Sequence, residues 1–312
     1  MSIPAIGVFL PTMTGRGEEL ADLVVAARRA EELGFESVWV VDQLVGGTGV
    51  PIVDSTVALA AAAGATSRVR LAFGVMILPL RPVVWAAKQV ASLQQVSGGR
   101  VLLGVGVGGD RHDLSWAAAG VPRRERGRRT DEALSVLPDL IAGRAVELAG
   151  DEVRLAPGSP VPPIIVGGMS DAALDRTIRS GAGWFALPLP PDQLAPVVEH
   201  LGRLAEAAGR EVPAVTASMT VAIEGDPALP GRSELVRRLS DPDGMFGMPA
   251  EAVPDMLVTG GPAVVAERIR ALAALGAERV VVTIAAGDWS TQAELLAAAV
   301  ELADREEAQA GR

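Results

Sequence analysis

Leu33-Gly34-Phe35-Glu36-Ser37-Val38-Trp39-Val40 runs from the end of a helical stretch into an apolar stretch of strand length. Leu275-Gly276-Ala277-Glu278-Arg279-Val280-Val281-Val282 repeats the arrangement far along the chain. Both place a glycine where a helix must end, because a residue without Cβ takes up the left-handed backbone that closes a helix. Gly181 stands at a third such joint. Outward from these joints, apolar segments at 5–11, 37–42, 70–76, 101–108, 163–168, 183–188, 214–223 and 279–286 alternate with longer segments of helical period. Such alternation predicts parallel strands joined by crossover helices. The nearly continuous apolar character of each segment predicts strands covered on both faces. Eight units predict an α/β fold, a (β/α)8 TIM barrel with short insertions, as one domain over residues 1–312.

Helix starts carry their own marks. Ser170 and Asp54 are N-cap candidates, Thr291 with Glu294 has the spacing of a capping box, and Pro262 suits a first helical turn. Two segments fit no strand-helix unit. Residues 146–155, with a turn at Gly150-Asp151, predict a small hairpin, and residues 226–261, rich in Pro, Gly and Met, predict an insertion of the kind barrels carry as lids or dimer contacts. Residues 305–312 read as a fraying polar end.

Composition removes several function classes. The net charge of −10 gives a surface that repels phosphate backbones and anionic membranes, so neither nucleic acid nor a membrane is expected as partner. The basic cluster Arg123, Arg124, Arg126, Arg128 and Arg129 is interleaved with Glu125, Asp131 and Glu132, which predicts a solvated helix start rather than an anion site. Without cysteine there is neither a disulfide nor a thiolate nucleophile, and two histidines argue against a multi-histidine metal site, so no metal is expected. No signal-peptide pattern and no apolar run of membrane-spanning length is present, which predicts a cytoplasmic protein. Lys88 is the sole lysine and asparagine and tyrosine are absent, the codon usage expected of a high-GC bacterial genome.

In a barrel, catalytic groups project from the C-terminal ends of the strands. That rule selects Pro11, Thr12 and Met13; Asp42 and Gln43; residues 74–78; residues 106–113; and residues 167–170. Gly104-Val105-Gly106-Val107-Gly108-Gly109 has a GxGxxG spacing, but it follows the fourth strand and precedes the polar Asp110-Arg111-His112-Asp113 instead of an apolar helix. A dinucleotide fingerprint needs the helix there. These glycines are read instead as letting a planar ligand or a phosphate lie against bare backbone. Gly167-Gly168-Met169-Ser170 is either a phosphate cradle at a helix N-terminus or a tight turn with a capping serine. His112 sits on the active-site face, where its near-neutral pKa suits proton transfer, with a surface-loop histidine as the alternative. His200 reads as solvated. Asp42 can hold a proton, orient a ring nitrogen or pair with an arginine. Trp39, Trp184 and Phe185 read as core, and Trp116 as a pocket wall.

The stretch from Glu31 to Asp42 resembles the second-strand motif of the luciferase-like monooxygenase superfamily. Thr66-Ser67-Arg68-Val69-Arg70-Leu71, Gly74-Val75, Leu80-Arg81-Pro82, Ala87-Lys88, Ser92-Leu93, Ser97-Gly98-Gly99-Arg100 and the following glycine run continue the likeness. Arg126 to Glu132, the segment 163–170 and Gly260-Gly261-Pro262 extend it over essentially the whole chain. The resemblance implies a barrel that binds coenzyme F420 or, as the alternative, FMN, with the ring stacked against a third-strand bulge at Gly74-Val75. In deazaflavin members a non-prolyl cis peptide lies at that bulge. Phosphate contacts carry over to Val107-Gly108 and to Gly167-Gly168-Met169, with Gly106 and Ser170 beside them. A homodimer is implied, acting on a small molecule, with a partner flavin reductase if the cofactor is FMN. Deazaflavin-dependent sugar-phosphate dehydrogenases of the family carry His after the second-strand Asp and Glu after the fourth-strand glycine. Here those positions hold Gln43 and Gly109, which favours reduction of an unsaturated, carbonyl or imine group and leaves His112, Asp42 and Gln43 as the catalytic candidates. An FMN-dependent monooxygenase and a non-catalytic cofactor-binding homologue are the alternatives.

Overall fold

The computed structural model describes residues 3–15, 17–46, 49–109, 113–241 and 248–310. Strands β1 (Ala5–Phe9), β2 (Ser37–Val40), β3 (Arg70–Ile77) and β4 (Val101–Gly106) alternate with helices α1 (Leu23–Glu32), α2 (Ser55–Ala65) and α3 (Val83–Ser97). After α4 (Asp113–Ala118) and α5 (Arg126–Ile141) come the short strands β5 (Val146–Leu148) and β6 (Asp151–Val153). The alternation resumes with β7 (Ile164–Gly167), α6 (Asp171–Ser180), β8 (Gly183–Phe185), α7 (Pro191–Ala207) and β9 (Val215–Ile223). It closes with α8 (Arg232–Ser240), α9 (Val253–Met256), β10 (Leu257–Gly260), α10 (Pro262–Ala274), β11 (Ala277–Ile284) and α11 (Trp289–Ala310).

Eight strands pair in parallel around a closed barrel in the order β1-β2-β3-β4-β7-β8-β9-β11, and β11 returns to β1. These are the eight expected segments. Their C-terminal ends are shorter than the apolar runs, because residues such as Leu10–Thr12 and Val41–Asp42 leave the ladder and enter the loops. A ninth strand was not legible. Inside the segment 226–261, β10 pairs in parallel with the far end of β9, from Leu257↔Thr220 to Gly260↔Ile223, beyond the point where β8 pairs with Val215 and Thr216. The nine-residue β9 is long enough to serve both neighbours.

The barrel interior is filled by Phe9, Trp39, Ala72, Leu102, Ile165, Phe185 and Val281, with Val75 packed against them. Trp39 stacks on Phe185 with ring centroids 5.2 Å apart, and its indole N–H donates to Ser37 Oγ at 2.8 Å. Gly7 leaves the space that the Trp39 indole occupies, since a Cβ there would come within 2.5 Å of Nε1. Trp184 faces outward instead, into the layer between strands and helices, and is equally buried. At the opposite end from the strand C-termini, the Arg279 guanidinium grips Glu36 at 2.8 and 3.0 Å, tying β11 to the start of β2. Burial pushes the Glu36 carboxyl up, but hydrogen bonds from Arg279 and Ser37 and the charges of Arg279 and Arg70 together hold it below its ordinary value.

The caps follow the expected chemistry with one correction. Asp54 accepts from the Val57 N–H at 2.9 Å, Ser170 accepts from Ala173, and Pro262 opens α10. At α11 the cap is Asp288, not Thr291: its Oδ1 accepts both the backbone N–H and the hydroxyl of Thr291, each at 2.8 Å. An aspartate three residues upstream had claimed the amide first, which frees Glu294 to pair with Arg29. The hairpin forms, but its turn lies one residue earlier than the expected Gly150-Asp151: Leu148 faces Asp151, and the turn residues Ala149 and Gly150 have φ of 54° and 90°. Positive φ at both positions is the primed turn whose twist matches that of paired strands. Among the described residues no helix is long and apolar enough to cross a membrane.

Candidate active site

At the end of β3 the ladder with β4 slips by one residue between Phe73↔Leu103 and Met76↔Val105, which is a β-bulge. It falls on Gly74 and Val75, joined by a non-prolyl cis peptide. Gly74 leaves room for Phe9 and Trp39, whose rings would lie 2.7 and 2.9 Å from a Cβ there. The Val75 side chain lies over β4 and β7, filling the space in which Gly104, Gly106 and Gly167 would otherwise carry a Cβ. For Gly104 and Gly106 the structure therefore gives a reason other than the expected one. Their missing side chains seat the bulge, and only through it do they shape a ligand surface.

The next residues form the edge of a shelf. Val107 is partly exposed, and Gly108 has φ of 74°, wedged against Trp116 and Ile77, where a Cβ would be 2.9 and 3.0 Å from their side chains. Trp116 lies buried beneath this edge with Ile77 and Leu80, so it supports the shelf and walls no open pocket. On the neighbouring strand end, Gly168 has φ of 134°, gives its N–H to the Phe185 carbonyl and accepts the Trp184 indole at 2.7 Å. The Met169 sulfur accepts the Leu187 N–H at 3.5 Å, and Ser170 caps α6. Among the described residues, the backbone N–H groups of Val107, Gly108, Met169 and Ser170 meet no acceptor. Free donors at two adjacent strand ends beside a helix start, together with a half-exposed apolar bulge, fit a planar ring carrying a phosphate.

Asp42 and Gln43 are committed elsewhere. Asp42 is buried; its Oδ1 accepts from Ser55 Oγ at 2.7 Å and Arg81 Nη2 at 2.9 Å, and its Oδ2 accepts from the Ile77 N–H at 2.7 Å. Of the three roles open to it, pairing with an arginine is the one the geometry displays, and it fastens the exit of the bulge to β2. The Gln43 amide donates to its own loop at the Val45 carbonyl, 2.8 Å away, and Val45 N–H donates to Ser115 on α4. His112 lies outside the described residues, as do residues 110 and 111. His200 is not merely solvated: its Nε2 sits 3.1 Å from Asp171 at the start of α6. Within the arginine-rich cluster Arg128 and Arg129 pair with Glu125 at 3.0 Å, and Asp131 holds Arg176 of α6 at 2.8 Å. The Asp131 carboxyl is held below its usual value by that Arg176 hydrogen bond.

Beside the shelf opens a cavity of about 1120 Å³, built by the loops after β1, β8 and β11, by β9 and by α8. Apolar walls come from Phe9, Met13, Leu187, Met248, Ile284 and Trp289, and charged residues occupy its rim. Phe9 joins the two regions, lining the cavity and meeting Gly74 of the bulge. Thr220 and Thr283 on its floor were missed from sequence. The signal was present in β9, where Thr216, Ser218 and Thr220 recur at every second position of an apolar run and so share the inner face. Residues 47, 48 and 242–247, within segments expected to set specificity, lie outside the described residues.

A sequence model described as luciferase-like monooxygenase matches residues 5–230. Uncharacterised proteins of Mycobacterium tuberculosis and Mycobacterium bovis are 37% identical over 172 residues, covering 53% of this chain and 58% of theirs. The match thus spans little more than half the length of these curated relatives. Among solved structures, an F420-dependent secondary alcohol dehydrogenase superposes with a TM-score of 0.79 at 17% identity, over 97% of this chain and 99% of that one. The oxygenating constituent of 3,6-diketocamphane monooxygenase from Pseudomonas putida, in complex with FMN, gives 0.73 at 19% identity over 98% of both chains.

Proposed function

The chain belongs to the luciferase-like monooxygenase family, and from that premise we propose that it is a coenzyme F420-dependent reductase of an unsaturated, carbonyl or imine group in a small organic substrate. The observation that carries this reading is the state of the second-strand end. Both Asp42 oxygens are saturated and the Gln43 amide is tied to Val45, so neither side chain is free to take a proton from an alcohol. Oxidation of an alcohol needs a base, and neither of these two side chains provides one. Reduction of an electron-poor bond needs a hydride first and a proton after. Reduced F420 supplies a hydride when bound. The short active-site loops and the high-GC codon usage support the deazaflavin over FMN.

The chain's own residues divide the remaining work. Val75 and the bulge back the ring, and the N–H groups of Val107, Gly108, Met169 and Ser170 hold the phosphate, aided by the positive end of α6. The Asp42, Arg81 and Ile77 contacts fix the bulge so that the ring meets a rigid surface. Phe9, Leu187 and Trp289 keep water from the face where the substrate lies. His112, between β4 and α4 in the sequence, supplies the proton.

Titration of the purified protein with oxidised and reduced F420 and FMN, followed by absorbance and fluorescence, tests the cofactor; binding of FMN with none of F420 overturns it. Binding without turnover over a panel of enones, carbonyls and imines makes the protein a cofactor carrier. His112→Ala is expected to lower turnover at least tenfold while changing cofactor affinity less than twofold, the loss general acid catalysis predicts. Unchanged turnover removes His112 from the mechanism.

A further inference from the structure

Charged side chains balance where α5 meets α6, with an exception at the head of α5. Arg128 and Arg129 are answered by Glu125 and Glu132, and Arg176 and Arg179 by Asp131 and Asp175, four cations against four carboxylates. Arg126 has no partner among the described residues, and neither has Arg124 two residues earlier. The two differ in placement. Arg124 is exposed, whereas Arg126 is partly buried, one turn before Thr130 on the stripe that continues through Ala133, Leu134 and Leu137 into the core. Residues at i, i+4 and i+7 share one helix face, so the Arg126 stem leaves α5 on its inward side. A cation there loses part of its hydration and gains no counter-charge in return.

The register of the two helices fixes what this inward side meets. Helix α5 follows β4 and packs between α3 and α6. Asp131, the sixth residue of α5, takes the guanidinium of Arg176, the sixth residue of α6, at 2.8 and 3.1 Å, and a Cβ on Gly127 would stand 3.8 Å from that guanidinium. The first turns of the two helices therefore lie level. Arg126 stands beside the Ser170-Asp171 start of α6 at the ordinary helix spacing of about 8–10 Å, which an arginine stem can bridge. Asp171 is turned toward the other neighbour, His200 of α7. Inward of these first turns lies the shelf, with the unanswered N–H groups of Val107, Gly108, Met169 and Ser170. The indole N–H of Trp116, 3% exposed beneath Gly108, also meets no acceptor.

We propose that Arg126 receives a carboxylate carried by the cofactor's side chain beyond its phosphate. The inference rests on the F420 reading for the identity of that ligand. Four backbone N–H groups and the positive end of α6 answer a phosphate diester, which carries a single negative charge. The side chain of F420 continues past its diester to carboxylates, whereas FMN ends at its phosphate. An arginine meets a carboxylate through two parallel N–H donors, so a guanidinium set back from the phosphate by one helix suits the next acid group along the chain. One cation does not reverse the far field of a molecule at −10. It acts at contact, and so lengthens residence rather than speeding arrival.

Three deazaflavins of growing side chain provide the test: the ribityl alcohol, its terminal phosphate, and F420 itself. Fluorescence titration gives the Kd of each, and stopped flow gives the dissociation rate of F420. The wild type is expected to bind more tightly at each step. R126Q should weaken F420 binding about tenfold, through faster dissociation, and leave the alcohol and the terminal phosphate within about twofold of wild type. R126K keeps the charge and loses the fork, and should weaken F420 about threefold. R128Q removes an arginine already paired with Glu125 and Glu132 and should bind all three as the wild type does. A loss in R126Q as large on the terminal phosphate, or on all three forms, gives Arg126 to the phosphate or to the fold and overturns the proposal. Undiminished F420 binding by R126Q overturns it and leaves the cofactor reading standing. Binding of FMN with none of the three deazaflavins overturns the cofactor reading and this ligand with it. The stepwise pattern without turnover on reduced F420 sustains the proposal and overturns the reductase reading.

Discussion

Val75 shows how one side chain can account for a motif. The run Gly104 to Gly109 has the look of a phosphate loop, yet two of its glycines are needed because the Val75 isopropyl group and the Phe73 carbonyl occupy the space their Cβ atoms would fill. The run thus mixes two demands, and mutation separates them. Gly104→Ala drives a methyl into the Phe73 carbonyl, which the ladder holds in place, and is expected to cost about 3 kcal/mol. Gly109→Ala meets nothing within 4 Å and should change stability by less than about 0.5 kcal/mol. Urea unfolding midpoints of the two variants check the contrast; equal midpoints would mean the bulge yields and Val75 can move.

Glu31 of α1 works between elements. Its carboxylate accepts the N–H groups of Ser67, Arg68 and Val69 at 3.0, 2.6 and 2.9 Å, at the joint between α2 and β3. From the other side the Arg100 guanidinium donates to the carbonyls of Ala63, Thr66 and Val69, so an acid and a base clamp one stretch of backbone. Burial pushes the Glu31 carboxyl up, but the three backbone donors together prevail and bring it down to about 2. A carboxylate whose folded value lies below its unfolded one stabilises the fold above the unfolded value, near 4.5, and loses that contribution as pH falls toward 2. Unfolding midpoints measured from pH 5 to pH 2.5 should therefore fall less steeply in Glu31→Gln than in the wild type. Parallel slopes would exclude Glu31 as a source of acid sensitivity. The clamp explains why Thr66 to Leu71 and Ser97 to Arg100 read as motifs although neither reaches the cavity. Elements whose signals are local were legible: the glycine at each helix end, the Gly150 turn and the buried strands. Strand β10 was not, because the four residues Leu257–Gly260 carry no period of their own and are a strand only by virtue of the free edge of β9.

The whole molecule carries a net charge of −10, and the phosphate-bearing cofactor proposed above would approach through that field. The screening length shrinks from about 30 Å at 0.01 M salt to about 8 Å at 0.15 M. The rate of cofactor association should consequently rise about two- to fivefold over that range. Stopped-flow fluorescence measures it, and a rate that falls with salt would place a dominant positive potential at the shelf. At this scale the barrel was readable from alternation alone. The glycines of residues 104–109 and 167–168 are contiguous at strand ends and so visible in the sequence, whereas Thr220 and Thr283 stand on separate strands and meet only when β11 pairs with β9.

That closure by β11 orders events on the ribosome. The shelf belongs to residues 74–170, in the middle of the chain, while the cavity takes walls from residues 9–26, from several between 187 and 248, and from 283–290. A chain emerging in order therefore carries every shelf residue before the last wall of the cavity is made. The cavity is thus the last part of the barrel mouth to be completed during synthesis.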